Sequence, residues 1–462
     1  MPPAPAPRTL LTGPVGPTLW SMTWPVVFGV ATLISFNFID TLFISFLGTE
    51  ELAAVGFTFP VSFTVISLTI GLGIGTSAVV ARKLGSDDTE GARQAGSSAI
   101  YLSALLVGCL AFLLFLLTEP IFQTLGATAE LMGHIKDYMY IWYAGAILLV
   151  VPMVGNSVLR ASGDTKTPSL IMGLGGLSNA ILDPLLIFGL GPFPALGLKG
   201  AAYASVISWA LGFVLIIYWL VWRRKVIDGR PPALPLFVRS CKRLLAIGLP
   251  AAGANMLTPF AMAVLTAIVA THGAPAVAAF GVGVRLESLA SVIILALSMS
   301  LPPFISQNFG AGNMLRVRTA YRTALMFCLG FQLLVYALLV LLSGGIQAAF
   351  ARDAAVAEVL ALFIWIMPLG YGLQGWIILT NSSLNALHKP MQALSLSVVR
   401  LFVTFIPLSI VGNAVAGLMG LFIGGVVANV FTAVVAYRWF MRVTQGQAQQ
   451  QNELKQQVDS SE

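Results

Sequence analysis

The chain has 462 residues, of which 57% are apolar and only 9% are charged. About a quarter of a typical soluble chain is charged, so this composition excludes an ordinary soluble globular domain. A net charge of +7 could also indicate a nucleic-acid-binding protein, but such proteins gather basic residues and aromatics on one folded face. Here the basic residues follow a membrane topology, and no nucleic-acid partner is expected.

Apolar runs follow one another along the chain, each long enough to cross a hydrocarbon core of about 30 Å as a helix. We count twelve, near 17–47, 52–80, 93–118, 132–158, 168–191, 200–222, 246–271, 276–307, 318–344, 355–384, 391–412 and 416–441. The strands of a membrane β-barrel are shorter and alternate in polarity, unlike these runs. The sequence therefore predicts an all-α membrane protein with twelve transmembrane helices in the lipid bilayer.

The basic residues are distributed unevenly among the predicted loops. Most lie on the side of the membrane that holds the N-terminus, and they are densest in 223–243. This stretch contains Arg223, Arg224, Lys225, Arg230, Arg239, Lys242 and Arg243. The positive-inside rule predicts that both termini are cytoplasmic, in a multi-pass protein of the bacterial inner membrane. Residues 1–16 lack the features of a cleavable signal peptide.

An internal repeat divides the chain. One constant offset pairs Pro25 with Pro250 and Asn156 with Asn381, and glycine, alanine and arginine positions keep the same offset. Such a constant offset along most of each half is hard to obtain by chance. The predicted organisation is a cytoplasmic segment at 1–16, an N-lobe at 17–222, a basic linker at 223–245, a C-lobe at 246–441 and a disordered cytoplasmic tail at 442–462. Two pseudo-symmetric six-helix lobes suggest a transporter that works by alternating access, with substrate bound near the midplane.

Two aspartates lie inside the apolar runs of the N-terminal half. Asp40 follows Asn37 by three residues, and Asp183 follows Asn179 by four, so each carboxylate shares a helical face with an amide. A carboxylate at the bilayer centre costs about 2.5–3.5 kcal/mol on insertion scales, so such residues usually face a cavity and carry function. In a low-dielectric cavity they could hold a proton, or give Na⁺ the oxygen ligands that a hard cation prefers.

The repeat makes this pair asymmetric. Asp40 falls opposite Leu265, and Asp183 falls opposite Ile406 in the slightly shifted register of the later helices. A symmetric structural role would favour carboxylates in both halves. The pattern therefore predicts an ion site in the N-terminal half alone.

The C-terminal half has charges of its own at membrane depth. Arg285 and Glu287 lie on the eighth run and Arg400 lies midway along the eleventh. Residues i and i+2 point apart on a helix, so Arg285 and Glu287 are expected to meet other helices rather than each other. A substrate path and inter-helix pairing are equally consistent with these charges.

Enzyme chemistry is not indicated. The three His and three Cys are scattered, with neither metal-ligand spacing nor a nucleophile–base set among them. We expect no cofactor, no resident metal, and no disulfide framework.

Four ordered motifs now carry a resemblance. They are F-N-F-I-D-T-L-F-I at 36–44, A-R-K-L-G-S-D-D-T-E-G-A-R-Q-A at 81–95 with its repeat at 306–320, N-S-V-L-R-A-S-G-D-T-K-T-P-S at 156–169, and N-A-I-L-D-P-L-L-I-F-G-L-G at 179–191. Together they resemble the multidrug and toxic compound extrusion (MATE) family, nearest its DinF-like branch. The resemblance spans roughly 17–440.

The resemblance implies a V-shaped pair of lobes and export coupled to H⁺ or Na⁺. It also implies an ion-coupling site in the N-lobe, with Pro25 as a conformational hinge that bends helix 1. The matching positions are Asp40, Asp183, Asn179, Asn156, Ser205 (where some relatives have threonine) and, by its spacing, Tyr138. Other branches place acidic residues on helices 7 and 10, and these are absent here.

The function expected from the sequence is an H⁺-coupled antiporter that exports drug-like, often cationic, amphipathic organic compounds, acting as a monomer. Na⁺ coupling is the first alternative, with Asp40, Asn179 and Asp183 as ligands. A flippase for a lipid-linked substrate is the second, and its cationic cavity would have only Arg285 and Arg400 as candidates.

Overall fold

The structure is a computed structural model that describes residues 9–229, 231–351 and 353–459, without the side chains of Thr9, Asn37 and 450–459. The first six long helices are α1 Val15–Ser45, α2 Thr49–Gly85, α3 Thr89–Leu116, α4 Ala129–Ala161, α5 Lys166–Phe188 and α6 Leu198–Ile217. A π-helical turn, Tyr218–Arg223, extends α6. Short helices lie at Thr9–Thr12 and Thr118–Thr124. Helices are the expected element because only they satisfy every backbone polar group of an isolated segment in lipid.

The later helices are less regular. They are α7 Leu234–Ala270, α8 in two segments (Ala274–Ala290 and Val292–Gly310), α9 Met314–Leu341, α10 Ala354–Ala386 and a long final helical region from Pro390 to Asp459. A 3₁₀ turn, Met367–Gly370, interrupts α10, and a π-helical turn, Val399–Phe405, follows Pro390–Val398. A short helix, Ser343–Phe350, precedes α10.

The final helical region contains two spans. The part from Pro390 to Gln449 has 60 residues and would be about 90 Å long as one helix, three times the hydrocarbon thickness. Ala416 and Gly417 have non-helical dihedral angles, and the φ of Gly417 is +57°. The break separates α11 (390–415) from α12 (418–459). Within the described ranges the prediction of twelve apolar helices in an all-α membrane protein is therefore confirmed.

Helix caps repeat with the same offset as the sequence. The Asp88 side chain accepts from Gly91 N at 2.8 Å at the start of α3, and Asn313 accepts from Arg316 N at 3.3 Å at the start of α9. Thr128 and Asp353 likewise cap α4 and α10. These side chains satisfy backbone donors that a helix N-terminus leaves unpaired. The repeat in sequence is therefore a repeat of helix boundaries.

The contacts divide the chain into two compact units, which we call the first unit (Trp24–Ala252) and the second unit (Thr9–Thr23 with the residues from Gly253 onward). The start of α7 belongs to the first unit because Gly71 of α2 leaves room for the backbone of Gly248. The start of α1 belongs to the second unit. The predicted lobe boundaries, 17–222 and 246–441, stay predictions.

Two helices extend beyond the apolar runs that predicted them. α7 begins at Leu234, inside the predicted linker 223–245, because its basic first turns continue the helix past its apolar part. α12 continues to Asp459 through the Gln-rich stretch predicted as a disordered tail from 442. Gln, Ala, Glu and Lys all have good helix propensity, which outweighs their polarity there.

Candidate functional site

The two aspartates of the first unit lie on α1 and α5, which contact each other at several points. A Cβ built on Gly29 of α1 would lie 3.2 Å from Ser169 Cα of α5, so the two helices nearly touch there. Further along, the Phe43 ring packs edge-on against Phe188 with 6.2 Å between ring centroids. Small residues allow such close helix approach in a membrane. These contacts place the second half of α1 against α5.

Asp40 and Asp183 meet within this pairing. Their carboxyl groups are within hydrogen-bonding reach of each other. Asp183 is fully buried, and its Oδ1 accepts a hydrogen bond from Asn179 Nδ2 at 3.1 Å. Two carboxylates in contact repel when both are ionised, so such a pair is stabilised by one shared proton. The arrangement is a pair of carboxyl groups, one of which is hydrogen-bonded by an amide.

Other oxygen atoms of the first unit are buried without a partner. Asp40 Oδ1, Asp183 Oδ2 and Asn156 Oδ1 have no hydrogen-bond donor among the described residues. A buried acceptor left unsatisfied costs about 1–3 kcal/mol. These atoms can accept a hydrogen bond from a proton donor or a water molecule, or coordinate a hard cation.

The remaining predicted residues are placed differently. Tyr138 of α4 is buried within electrostatic reach of both Asp40 and Asp183. Asn156 is buried on α4 and Ser205 is half-buried on α6, and no hydrogen bond links either to the pair in the described part of the chain. The side chain of Asn37 lies outside the described residues.

Prolines interrupt the hydrogen bonding of both helices that carry the pair. Pro184 directly follows Asp183 and cannot donate to the carbonyl of Ala180. Pro25 lies inside α1, one residue after the boundary between the two units. Both helices therefore have a weakened position from which they can bend, and the hinge role of Pro25 stays a prediction.

We expect Gly176→Ala to disturb the pair, because a Cβ built on Gly176 would overlap the Phe36 ring and push α1 away from α5. Transport in proteoliposomes should fall several-fold. Gly173→Ala, one turn earlier, is the matched control, since its Cβ would lie 3.7 Å from Phe28 in ordinary contact. The double variant Gly176→Ala with Phe36→Ala should recover most activity. Equal activity of the two single variants would show that this contact does not position Asp40.

A second polar cluster lies in the second unit. Glu287 Oε1 of α8 accepts from Gln374 Nε2 of α10 at 2.9 Å. Glu287 is also within electrostatic reach of Arg400 on α11 and of Tyr371 on α10. The expectation that Glu287 meets other helices is met by these contacts. Arg285 is exposed, and it lies two residues from Glu287, where a helix turns the side chain away from the cluster.

Sequence reasoning missed Gln374 and Tyr371. Both are uncharged polar residues, and such residues are common in membrane helices. One signal was available: Tyr371 follows the Pro368–Gly370 stretch, which breaks α10 in the middle of a long apolar run. Broken helices at membrane depth often carry binding sites.

Comparisons with known proteins define the class. The model of the MatE family matches residues 25–185 and 250–411, so the two matches begin at Pro25 and Pro250, which the repeat pairs. A FAD transporter of Shewanella oneidensis is 39% identical over 94% of this chain and 96% of its own length. A probable multidrug resistance protein, NorM of Thermotoga maritima, is 23% identical over 88% of each chain.

Solved structures of transporters have the same fold as this chain. The MATE transporter VcmN of Vibrio cholerae, in its bent form, is 34% identical and superposes with a TM-score of 0.89 over 94% of this chain and 98% of that one. A transporter of the MOP superfamily from Pyrococcus furiosus gives a TM-score of 0.87 at 28% identity, over 95% of this chain and 98% of that one. The fold and these matches define a multi-pass membrane transporter and not an enzyme. The chain belongs to the MatE family of MATE transporters.

Proposed function

We propose that the protein is an H⁺-coupled antiporter that exports small amphipathic organic compounds, with Asp40 and Asp183 as the proton-carrying groups. The observation that carries the proposal is the contact between the two carboxyl groups. The contact needs a proton between the groups, and losing that proton sets two like charges against each other inside the membrane. Proton loss and uptake therefore change the force between α1 and α5.

Na⁺ coupling is the alternative that this geometry supports less well. A Na⁺ ion between the carboxylates would replace their direct contact by two carboxylate–ion contacts. Asn179 presents its amide Nδ2 to Asp183, so its oxygen is not directed at the same carboxylate. Na⁺ needs oxygen ligands, so this orientation of the Asn179 amide favours a proton.

The expected cycle follows from charge. With one proton shared by the two carboxyl groups, the site carries a single negative charge and α1 lies against α5. When protons leave, repulsion between the carboxylates separates the helices at their weakened positions, Pro25 and Pro184. Substrate and protons then favour different conformations of the first unit, so binding of one promotes release of the other. This linkage is the basis of exchange. In such an antiporter, protons move inward while substrate is exported.

A second candidate substrate class comes from one observation. The Shewanella oneidensis relative that shares 39% identity along nearly the whole chain is described as a FAD transporter, whereas the relatives described as multidrug proteins share 23–29%. Higher identity over a longer alignment favours a similar cargo. We therefore include flavins with cationic drugs among the substrates to be tested.

The test uses the purified protein in proteoliposomes. Export of ethidium and of FAD is followed with an imposed ΔpH in nominally Na⁺-free buffer, and separately with an imposed Na⁺ gradient at equal pH. We expect transport of at least one substrate driven by ΔpH alone. Transport that appears only with Na⁺ and ignores ΔpH would refute proton coupling.

A further inference from the structure

The polar cluster of the second unit lies where three irregular helices meet. Ser291 interrupts α8 four residues after Glu287. The 3₁₀ turn Met367–Gly370 ends directly before Tyr371. Arg400 lies within the π-helical turn of α11. Mid-helix 3₁₀ and π segments frequently mark functional positions, because they redirect side chains and free backbone groups.

The cluster is deep in the membrane. Counted along the whole of α8, α10 and α11, including their irregular turns, Glu287, Tyr371 and Arg400 each lie ten or more residues from the nearer end, which corresponds to about 15 Å of helix. Half of a hydrocarbon core is about 15 Å thick, so these groups lie near the midplane. Polar groups at that depth face a cavity or another protein group rather than lipid.

The hydrogen bonding of the cluster is incomplete. Glu287 Oε1 already accepts a hydrogen bond from Gln374 Nε2. Arg400 Nε and the Tyr371 hydroxyl are buried and have no partner among the described residues, and Tyr371 is only 2% exposed. The cluster therefore offers two unused donors and one carboxylate that can still accept. Glu287 balances the charge of Arg400, so the whole cluster is neutral.

We propose that this cluster is a ligand-binding site for a neutral imide edge, the carbonyl, N–H, carbonyl sequence found on a flavin ring. Arg400 Nε and the Tyr371 hydroxyl donate to the two carbonyls, and Glu287 accepts from the N–H. The pattern uses the two buried donors that lack a partner and the remaining acceptor capacity of Glu287. The hydrogen bond from Gln374 fixes the position of the Glu287 carboxylate.

A phosphate or carboxylate fits less well. An anion beside Arg400 would stand next to Glu287 and leave the cluster with an uncompensated negative charge at membrane depth. A cationic drug would be repelled by the positive charge of Arg400. A neutral group with two acceptors and one donor avoids both costs. The inference rests on the proposed export function for the idea that the bound compound is cargo, but the binding itself requires no ion coupling.

Binding is measured with the full-length protein in detergent at fixed pH, by the fluorescence anisotropy of riboflavin and of N3-methylriboflavin. The methyl group removes only the central N–H. We expect the unmodified protein to bind riboflavin at least about tenfold more tightly, because methylation leaves Glu287 facing an apolar group. Tyr371→Phe and Arg400→Gln should weaken riboflavin binding by about tenfold or more. Tyr336→Phe, the same change on α9 outside the cluster, is the control and should bind as the unmodified protein does.

Equal affinity for the two flavins, or unchanged binding in Tyr371→Phe, would overturn the site. Failure of the unmodified protein to bind riboflavin would overturn it as well. Should Arg400→Gln fail to fold, the comparison of the two flavins on the unmodified protein still decides. Flavin binding with full discrimination but no ΔpH-driven transport would overturn the proposed coupling and leave this site standing, whereas ΔpH-driven transport without discrimination would do the reverse.

Discussion

Asp40→Asn is expected to abolish ΔpH-driven export while the protein stays folded and inserted. Asparagine has nearly the shape of aspartic acid and can still hydrogen-bond with Asp183, so the contact between α1 and α5 persists. It cannot release a proton, so proton loss from the site no longer sets two carboxylates against each other. We expect the export rate to fall to the level of empty liposomes, measured at matched protein content.

The control for Asp40→Asn is Asp137→Asn. Asp137 is an exposed aspartate of the same unit that pairs with Lys199 at 3.2 Å, and surface ion pairs contribute about 0–1 kcal/mol. This variant should transport as the unmodified protein does. Normal export by Asp40→Asn beside a normal control would remove Asp40 from the coupling site.

Asp183→Asn is expected to reduce ΔpH-driven export at least about tenfold, the effect of removing a group whose protonation drives a conformational change. Asn179→Ala should cause a smaller loss, because it removes the hydrogen bond to Asp183 Oδ1 without removing the carboxyl group. The equivalent positions of the C-terminal half do not carry these polar residues, so changes there can be compared with Asp183→Asn and Asn179→Ala. Their counterparts in the other half of the repeat are Ile406 and Phe402, which are apolar.

Conservative changes at those counterparts, Ile406→Val and Phe402→Leu, should leave coupling close to that of the unmodified protein. They alter packing by a methylene or a ring, and they remove no ionisable group. The measurement is again the export rate under ΔpH at matched protein content. Similar losses at both pairs of positions would contradict an ion site confined to the first unit.

Much of the fold was predictable because long apolar runs in the sequence reveal membrane helices. Twelve apolar runs, their spacing and the constant offset between the two halves are visible without coordinates, and the caps Asp88 and Asn313 follow that offset. The ends of helices were less predictable. α7 begins within a basic stretch and α12 continues through a polar one, since a helix outside the membrane does not need to be apolar.

The candidate site was predictable only residue by residue. Spacing placed Asn179 on the same face as Asp183, and the structure shows the hydrogen bond between them. No spacing could show that Asp40 and Asp183 touch, because that contact depends on the close approach of α1 and α5 at small residues such as Gly29. The π-helical turn that contains Arg400 has no sequence signature of its own, and so the second cluster was seen only as isolated charges.

H⁺-coupled antiport requires that protons and substrate move in opposite directions, and this movement can be measured. Proteoliposomes are loaded with the pH-sensitive dye pyranine, and a substrate gradient is imposed with no initial ΔpH, in Na⁺-free buffer. The carboxyl pair predicts proton movement opposite to the substrate in the unmodified protein and none with Asp40→Asn. Substrate movement without any proton movement, accompanied instead by uptake of labelled Na⁺ once that ion is supplied, would contradict the account.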